Sequence, residues 1–144
     1  MLVLVVSLST ISGCVKGDGV VDDGNGNGNG NGPHIINTQD TTPPVVELYT
    51  PIPNQVFSSG SSITITGKVS DGDGLYQGRI RITDDANGTI LKEQLYIIHG
   101  ITQYNFDVSH QAVVTAVSNF TVTVVFEDHG LNTNTATVKI KVNP

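Results

Sequence analysis

The chain is poor in several residue types, and each shortage excludes a class of protein. Its 144 residues contain one cysteine, no tryptophan, and seven lysines and arginines against thirteen acidic residues. A single thiol cannot form a disulfide within the chain, which excludes a disulfide-stapled scaffold. The net charge of −6 argues against a nucleic-acid partner, because binding to phosphates requires a basic surface. No apolar run approaches the roughly 20 residues that a membrane-spanning helix needs.

The single cysteine, Cys14, follows a short apolar segment. The first eleven residues, MLVLVVSLSTI, are too few to span a bilayer but suit the apolar core of a signal peptide. Ile11, Ser12 and Gly13 place one aliphatic and two small residues directly before the thiol. This pattern resembles the lipobox of bacterial lipoproteins, in which the cysteine receives a diacylglyceryl group. The resemblance implies a signal peptide over residues 1–13, lipidation of Cys14 and a lipid anchor in a membrane.

The residues after the cysteine indicate which membrane carries the anchor. Val15 occupies the position at which some bacteria use aspartate to retain lipoproteins in the inner membrane. Residues 16–23, KGDGVVDD, resemble the acidic stretches of surface-exported lipoproteins of Bacteroidota. The resemblance implies the outer membrane, with the protein facing the periplasm or the cell surface. The chain departs from the lipoprotein pattern in one respect, since no Lys or Arg precedes Cys14.

A glycine-rich segment follows. Residues 24–32 read GNGNGNGNG, an alternation that offers no apolar surface to bury and has a high backbone entropy, so it predicts disorder. Neither GxxxxGKS/T nor a strand-bounded GxGxxG occurs, so these glycines do not predict a phosphate-binding loop. We interpret residues 14–39 as a lipidated flexible tether. As a coil, its 25 residues after Cys14 would span roughly 28 Å on average.

From Asp40 onward apolar and polar residues alternate, which is typical of half-buried strands. Segment 109–119 is the one place where we expect a single helical turn, between two strands. Seven short strands with turns between them predict an all-β fold, a seven-stranded β-sandwich over residues 40–144. The predicted strands cover residues 45–49, 62–70, 78–83, 89–98, 104–108, 119–127 and 135–142.

Two stretches resemble bacterial Ig-like domains. Residues 40–75 contain an Asp-Thr-x-x-Pro opening, an apolar strand, a Pro-Asn turn and a strand ending in Ser-Asp-x-x-Gly. Residues 127–142, EDHGLNTNTATVKIKV, are similar to the last hairpin of such domains. Together with the lipobox, the chain resembles Ig-like lipoproteins of Bacteroidota, which implies an Ig-like or fibronectin-III-like sandwich. These motifs are structural and do not identify a function.

No catalytic motif of the types GxSxG, HExxH or CxxC occurs, so we predict that the protein is not an enzyme. The leading hypothesis is a lipid-anchored binding, adhesion or accessory module of the cell envelope, with a protein or glycan ligand. Two alternatives remain open: a structural spacer of the envelope, and a small glycan-binding module of a carbohydrate-uptake system. Sugar binding by a sandwich needs exposed aromatic rings, and Tyr76 is the ring that we expect to be most exposed.

Acidic residues occupy positions that an Ig-like topology places at one pole. That topology would bring Asp40, Asp71, Asp73, His99 and Asp128 together. We name Asp71, Asp73 and Asp128 as candidate Ca²⁺ ligands, because gathered carboxylates repel one another and an oxygen-seeking cation relieves that repulsion. The alternative is that these aspartates form Asx-turns and stay solvated. No other cofactor is expected.

One modification site is suggested at the start of the domain. Asp40, Thr41 and Thr42 resemble the short acceptor at which Bacteroidota O-glycosylate exported proteins, which makes Thr41 a candidate. A turn before the two following prolines explains the same residues equally well.

Overall fold

The structure, a computed structural model, describes residues 35–144. The predicted signal peptide, the lipobox with Cys14, and the tether up to residue 34 lie outside the described residues. The described part consists of strands and their connections and contains no helix. It therefore offers no helix that is long and apolar enough to cross a membrane.

Eight strands form two sheets that pack face to face. All neighbouring strands are antiparallel except β2 and β8, which run parallel. This is an Ig-like, fibronectin-III-like β-sandwich, so the predicted fold class is confirmed. The first sheet has the order β1 (Val45–Thr50), β3 (Ser62–Ser70), β6 (Gln103–Gln111), and the second has the order β2 (Val56–Ser58), β8 (Thr133–Asn143), β7 (Ser118–Asp128), β4 (Leu75–Asp84), β5 (Ile90–Ile97).

The strand count and one connection differ from the prediction. The eighth strand is β2, whose three residues are too few to show an alternating pattern; it is defined by pairing with Lys141, Val142 and Asn143 of β8. The helical turn expected within residues 109–119 does not form. Instead β6 continues through Gln111 because it stays paired with β3 as far as Ser62, and residues 112–117 connect the two sheets without helix.

The core lies between the two sheets and is filled by the inward positions of each strand. On β7 these are Phe120, Val122, Val124 and Phe126, none of which is more than 3% exposed. Their partners across the core come mainly from β3 and β6, and the Phe126 ring stacks on a phenylalanine of the opposite sheet at a centroid distance of 5.5 Å. The predicted inward face of β7 is confirmed.

The connections lie at the two ends of the sandwich. We call one end the acidic pole, because three aspartates meet there, and the other end the far pole. Hydrogen bonds between backbone groups tie the connections together at each pole. The acidic pole comprises residues 35–44, 71–74, 98–102 and 129–132, and the far pole comprises residues 51–55, 59–61, 85–89 and 112–117.

Candidate functional site

Three carboxylates converge at the acidic pole. Asp40, Asp71 and Asp128 each contribute one oxygen, and these oxygens all lie within 4.8 Å of one another. Asp128 is the last residue of β7 and is fully buried, while Asp40 precedes β1 and is only 7% exposed. Asp71 follows β3 and is half-buried. The antiparallel topology brings these distant residues together, because β3 ends and β7 ends at the same pole.

The turn after β3 holds the Asp71 side chain. Its Oδ1 accepts hydrogen bonds from the backbone N–H groups of Asp73, at 2.9 Å, and Gly74, at 2.8 Å. This is an Asx-turn, so the turn chemistry considered from the sequence is present at this residue. The second oxygen of the carboxylate is not used by the turn, and the carboxylate remains beside Asp40 and Asp128.

The turn after β7 holds the carboxylate of Asp128 and the backbone of Asp40. Asn132 donates from its backbone N–H to Oδ1 of Asp128, at 2.9 Å, and from Nδ2 to Oδ2 of Asp128, at 3.0 Å. The same Nδ2 lies 3.1 Å from the backbone oxygen of Asp40. Oδ1 of Asp40 accepts the N–H of Thr42, whereas Oδ2 of Asp40 is buried and accepts no hydrogen bond within the described part of the chain.

A close backbone approach keeps the segment before β1 against this turn. A Cβ added to Gly130 would overlap the backbone oxygen of Asp40 and Nδ2 of Asn132, so only glycine leaves the necessary space. Ahead of Asp40, Asn37 donates its backbone N–H to the oxygen of His129 at 2.8 Å. Residues before the predicted domain boundary at residue 40 therefore already contact the sandwich.

The electrostatics of the three carboxylates are unfavourable when all of them are charged. Burial raises the pKa of Asp71, the two backbone N–H groups of its turn counteract that effect, and the neighbouring charges of Asp40 and Asp128 raise it further. The four ion pairs found among residues 35–144 involve other carboxylates. No Lys or Arg of the described chain therefore forms an ion pair with these three aspartates.

Two of the three predicted Ca²⁺ ligands lie in the carboxylate cluster, and the third does not. Asp71 and Asp128 come together as expected, but the third member of the cluster is Asp40, which the topological argument placed at this pole without naming it as a ligand. Asp73 is exposed, and it supports Asp71 through its backbone N–H. Strand alternation alone distinguishes Asp128, which points inward with Phe126, from its neighbour on the outer face.

Three aromatic rings form a second group at the acidic pole. The centroids of His99 and His129 lie 4.4 Å apart, and Tyr76 meets both of them edge to face at 5.7 and 5.9 Å. Tyr76 is therefore half-buried, and the expectation that it is the most exposed ring was wrong. Tyr49 on β1, at 52%, is the exposed tyrosine of the described chain.

The candidate glycosylation site lies beside the acidic cluster. Thr41 is exposed, and the next residue, Thr42, donates its N–H to Asp40. The turn proposed as the alternative explanation of these residues is thus present, and modification of Thr41 stays a prediction.

Surface depressions are small. One, of about 280 Å³, lies near the far pole, and one of about 200 Å³ lies on the outer face of the five-stranded sheet. Both fall below the roughly 300–1,000 Å³ typical of small-molecule pockets. The first contains the ion pair between Lys139 and Asp85, and its remaining lining residues are Asn54, Val56, Asn119, Ile140 and Lys141.

Comparison with known proteins finds likeness in solved structures only; no family model and no curated protein matches the chain. The fibronectin(III)-like modules of CbhA from Clostridium thermocellum are 23% identical, with a TM-score of 0.43, over 70% of this chain and 47% of that chain. The CARDB domain of a Pyrococcus furiosus protein, solved in complex with di-metal ions, is 16% identical, with a TM-score of 0.40, over 70% of this chain and 94% of that chain.

Proposed function

We propose that the chain is a lipid-anchored, non-enzymatic binding module of the bacterial cell envelope, held at the outer membrane and engaging a protein partner through its far pole. The observation that carries this proposal is the direction in which the chain joins the sandwich. The backbone oxygen of Ile35 lies 3.2 Å from Nδ1 of His129, and Asn37 bonds the same turn. The last residues of the predicted tether are therefore fastened to the acidic pole, at the end of the sandwich opposite the far pole.

The side chains of the far pole favour a protein over a glycan. Ile52, Val113 and Val117 project from its loops and are 60%, 76% and 59% exposed. Aliphatic groups bind the apolar centre of a protein interface, whereas a sugar platform uses exposed aromatic rings. The exposed ring, Tyr49, lies on β1 instead. A glycan-binding module is thus the weaker alternative.

The far-pole loops are held in place, which reduces the entropy lost on binding. The Oγ–H of Ser59 donates to the backbone oxygen of Val114, and the backbone N–H of Val114 donates to the same Oγ at 2.9 Å. Gly60 also donates to the backbone oxygen of Ala112 at 2.7 Å. A structural spacer requires neither exposed aliphatic loops nor their immobilisation.

The test uses the anchored protein on intact cells of a bacterium that produces it. A photo-crosslinker at the far pole should yield a discrete protein adduct with the unaltered chain. The triple variant Ile52→Ser/Val113→Ser/Val117→Ser should lose that adduct, because the apolar contact is removed. The control Leu95→Ser/Ile97→Ser changes two equally exposed aliphatic residues of β5 and should retain it.

Two results would contradict the proposal. Loss of the adduct in the β5 control with retention in the triple variant would place the binding surface on the sheet. A chain that yields no adduct at all, while remaining anchored and folded, would support the spacer hypothesis.

A further inference from the structure

We propose that Asp40, Asp71 and Asp128 bind one calcium ion, which fastens the segment before β1 to the sandwich. The proposal goes beyond the binding module described above and does not depend on the lipid anchor. Three separate segments of the chain supply one carboxylate oxygen each, and these three oxygens lie within 4.8 Å of one another.

The buried Oδ2 of Asp40 is a second observation that points to a ligand at this cluster. Asp40 is more than nine-tenths buried, and its Oδ2 accepts no hydrogen bond from the described residues. A buried carboxylate oxygen that lacks both water and a donor is costly, so native proteins satisfy such atoms with a partner or a metal. Its neighbours Asp71 and Asp128 are acceptors as well, so neither of them satisfies it as an ionised carboxylate.

Charge supports the same conclusion. Three ionised aspartates at this separation repel one another, and none of them takes part in the ion pairs of the described chain. A divalent cation between them would cancel most of that charge.

The ligand set and its dimensions favour calcium. All three ligands are carboxylate oxygens, which suit hard cations. Calcium binds oxygen at 2.3–2.6 Å, so two of its ligands can be as much as about 4.6–5.2 Å apart, and oxygens that all lie within 4.8 Å of one another are compatible with that reach. Magnesium binds at 2.0–2.1 Å and needs every pair within about 4.2 Å. Because Asp71 is only half-buried, water can complete the coordination of calcium.

Bound calcium would act as a clamp on the residues that connect the tether to the domain. Asp40 belongs to the segment before β1, Asp71 to the β3–β4 turn and Asp128 to the end of β7. Without the ion, that segment is held by Asn132, by Asn37 and by the close contact at Gly130. With the ion, the segment before β1 would be held more firmly against the end of the sandwich.

The experiment titrates the full chain, purified in a mild non-ionic detergent and freed of metal with EDTA, with CaCl₂ and in parallel with MgCl₂. Calorimetry should show one calcium site and weaker magnesium binding. At free Ca²⁺ ten times its dissociation constant, the thermal midpoint should rise by about 5 °C. Hydrogen exchange at residues 37–42 should slow in calcium, which reports the clamp directly.

Asp40→Asn is the decisive variant. It keeps the Oδ1 that accepts from Thr42 and replaces the unbonded oxygen with an amide, which removes one charge and supplies a donor to the neighbouring carboxylates. We expect its metal-free midpoint to equal or exceed that of the unaltered chain, and its response to calcium to disappear. Asp73→Asn is the matched control, since it removes the same charge from the exposed neighbour and should respond to calcium fully.

Three results would overturn the proposal. The first is the absence of calorimetric heat and of any midpoint change with millimolar calcium. The second is an equal calcium response in Asp40→Asn. The third is a cluster that is stabilised by lowering the pH but not by calcium, which would show that the three carboxylates share a proton instead of a metal.

Discussion

Two glycines of the sandwich are matched to two phenylalanines of the core. Gly67 pairs with Phe106 in the register of β3 and β6, and Gly78 pairs with Phe126 in the register of β4 and β7. A Cβ at either glycine would overlap the ring of its phenylalanine, so each ring covers the strand where a side chain is missing. The two rings then stack on each other between the sheets. The packing of the two rings in the core therefore requires the space that the two glycines leave.

Gly78→Ala should destabilise the domain by about 1–3 kcal/mol, because the new methyl group must displace the ring of Phe126 in a closely packed core. Urea unfolding followed by far-UV circular dichroism measures the change. Gly72→Ala is the matched control: its Cβ would meet no atom within 4 Å, and its backbone does not require glycine. The control should be neutral or stabilising by up to about 1 kcal/mol. Equal stability of the two variants would contradict the role of Gly78.

The edges of the two sheets meet along β5 and β6. Both strands end their sheets, and Tyr96 of β5 packs edge to face on Tyr104 of β6 at a centroid distance of 5.4 Å. Burial raises the pKa of Tyr96 to about 12 at this seam. At another point along it, burial lowers the pKa of His110 on β6, and the positive charge of Lys92 on β5 lowers it further. The seam thus disfavours charge on both residues.

The lowered pKa of His110 predicts a loss of stability in mild acid. The folded state resists protonation that the unfolded state accepts at its ordinary pKa of 6.5, so the stability present above pH 6.5 is lost as the pH falls through the lowered value. His110→Gln should reduce the drop in unfolding free energy between pH 7.5 and 5.5, measured with urea. Lys92→Gln should reduce it partly. The exposed control Lys141→Gln should leave it unchanged, and an equal effect of both lysine variants would exclude the role of Lys92.

At the scale of the whole molecule, the N-terminal segment joins the sandwich at one of its two ends. The segment before β1 reaches the sandwich at the acidic pole, where Asn37 and Asp40 contact the turn after β7. The proposed calcium clamp and the proposed binding surface lie at opposite ends of the same rigid sandwich. The far pole therefore lies at the end of the sandwich opposite the point where the N-terminal segment joins it.

Cys14→Ala should move the protein from the membrane to the soluble fraction, because the thiol that would carry the lipid is removed and each buried methylene contributes about 0.8 kcal/mol to anchoring. Fractionation in detergent-free buffer and intact-mass measurement follow the change. Gly13→Ala is the control, since it preserves a small residue before the cysteine and should remain anchored. If the Cys14→Ala protein still sediments with membranes, the lipoprotein hypothesis is wrong.

The sequence by itself determined the strands and their inward faces, because the direction of a side chain along a strand is a local property with a period of two. The predicted strand over residues 62–70 coincides with β3, and Phe120 to Phe126 alternate into the core as expected. Tertiary structure decided the rest. β2 exists only through its pairing with β8, more than 80 residues away. Asp40 joins Asp71 and Asp128 because three segments cross at one pole, and Asp73 is excluded because its side chain turns toward solvent. Such contacts depend on how distant segments are packed together, which no local pattern records.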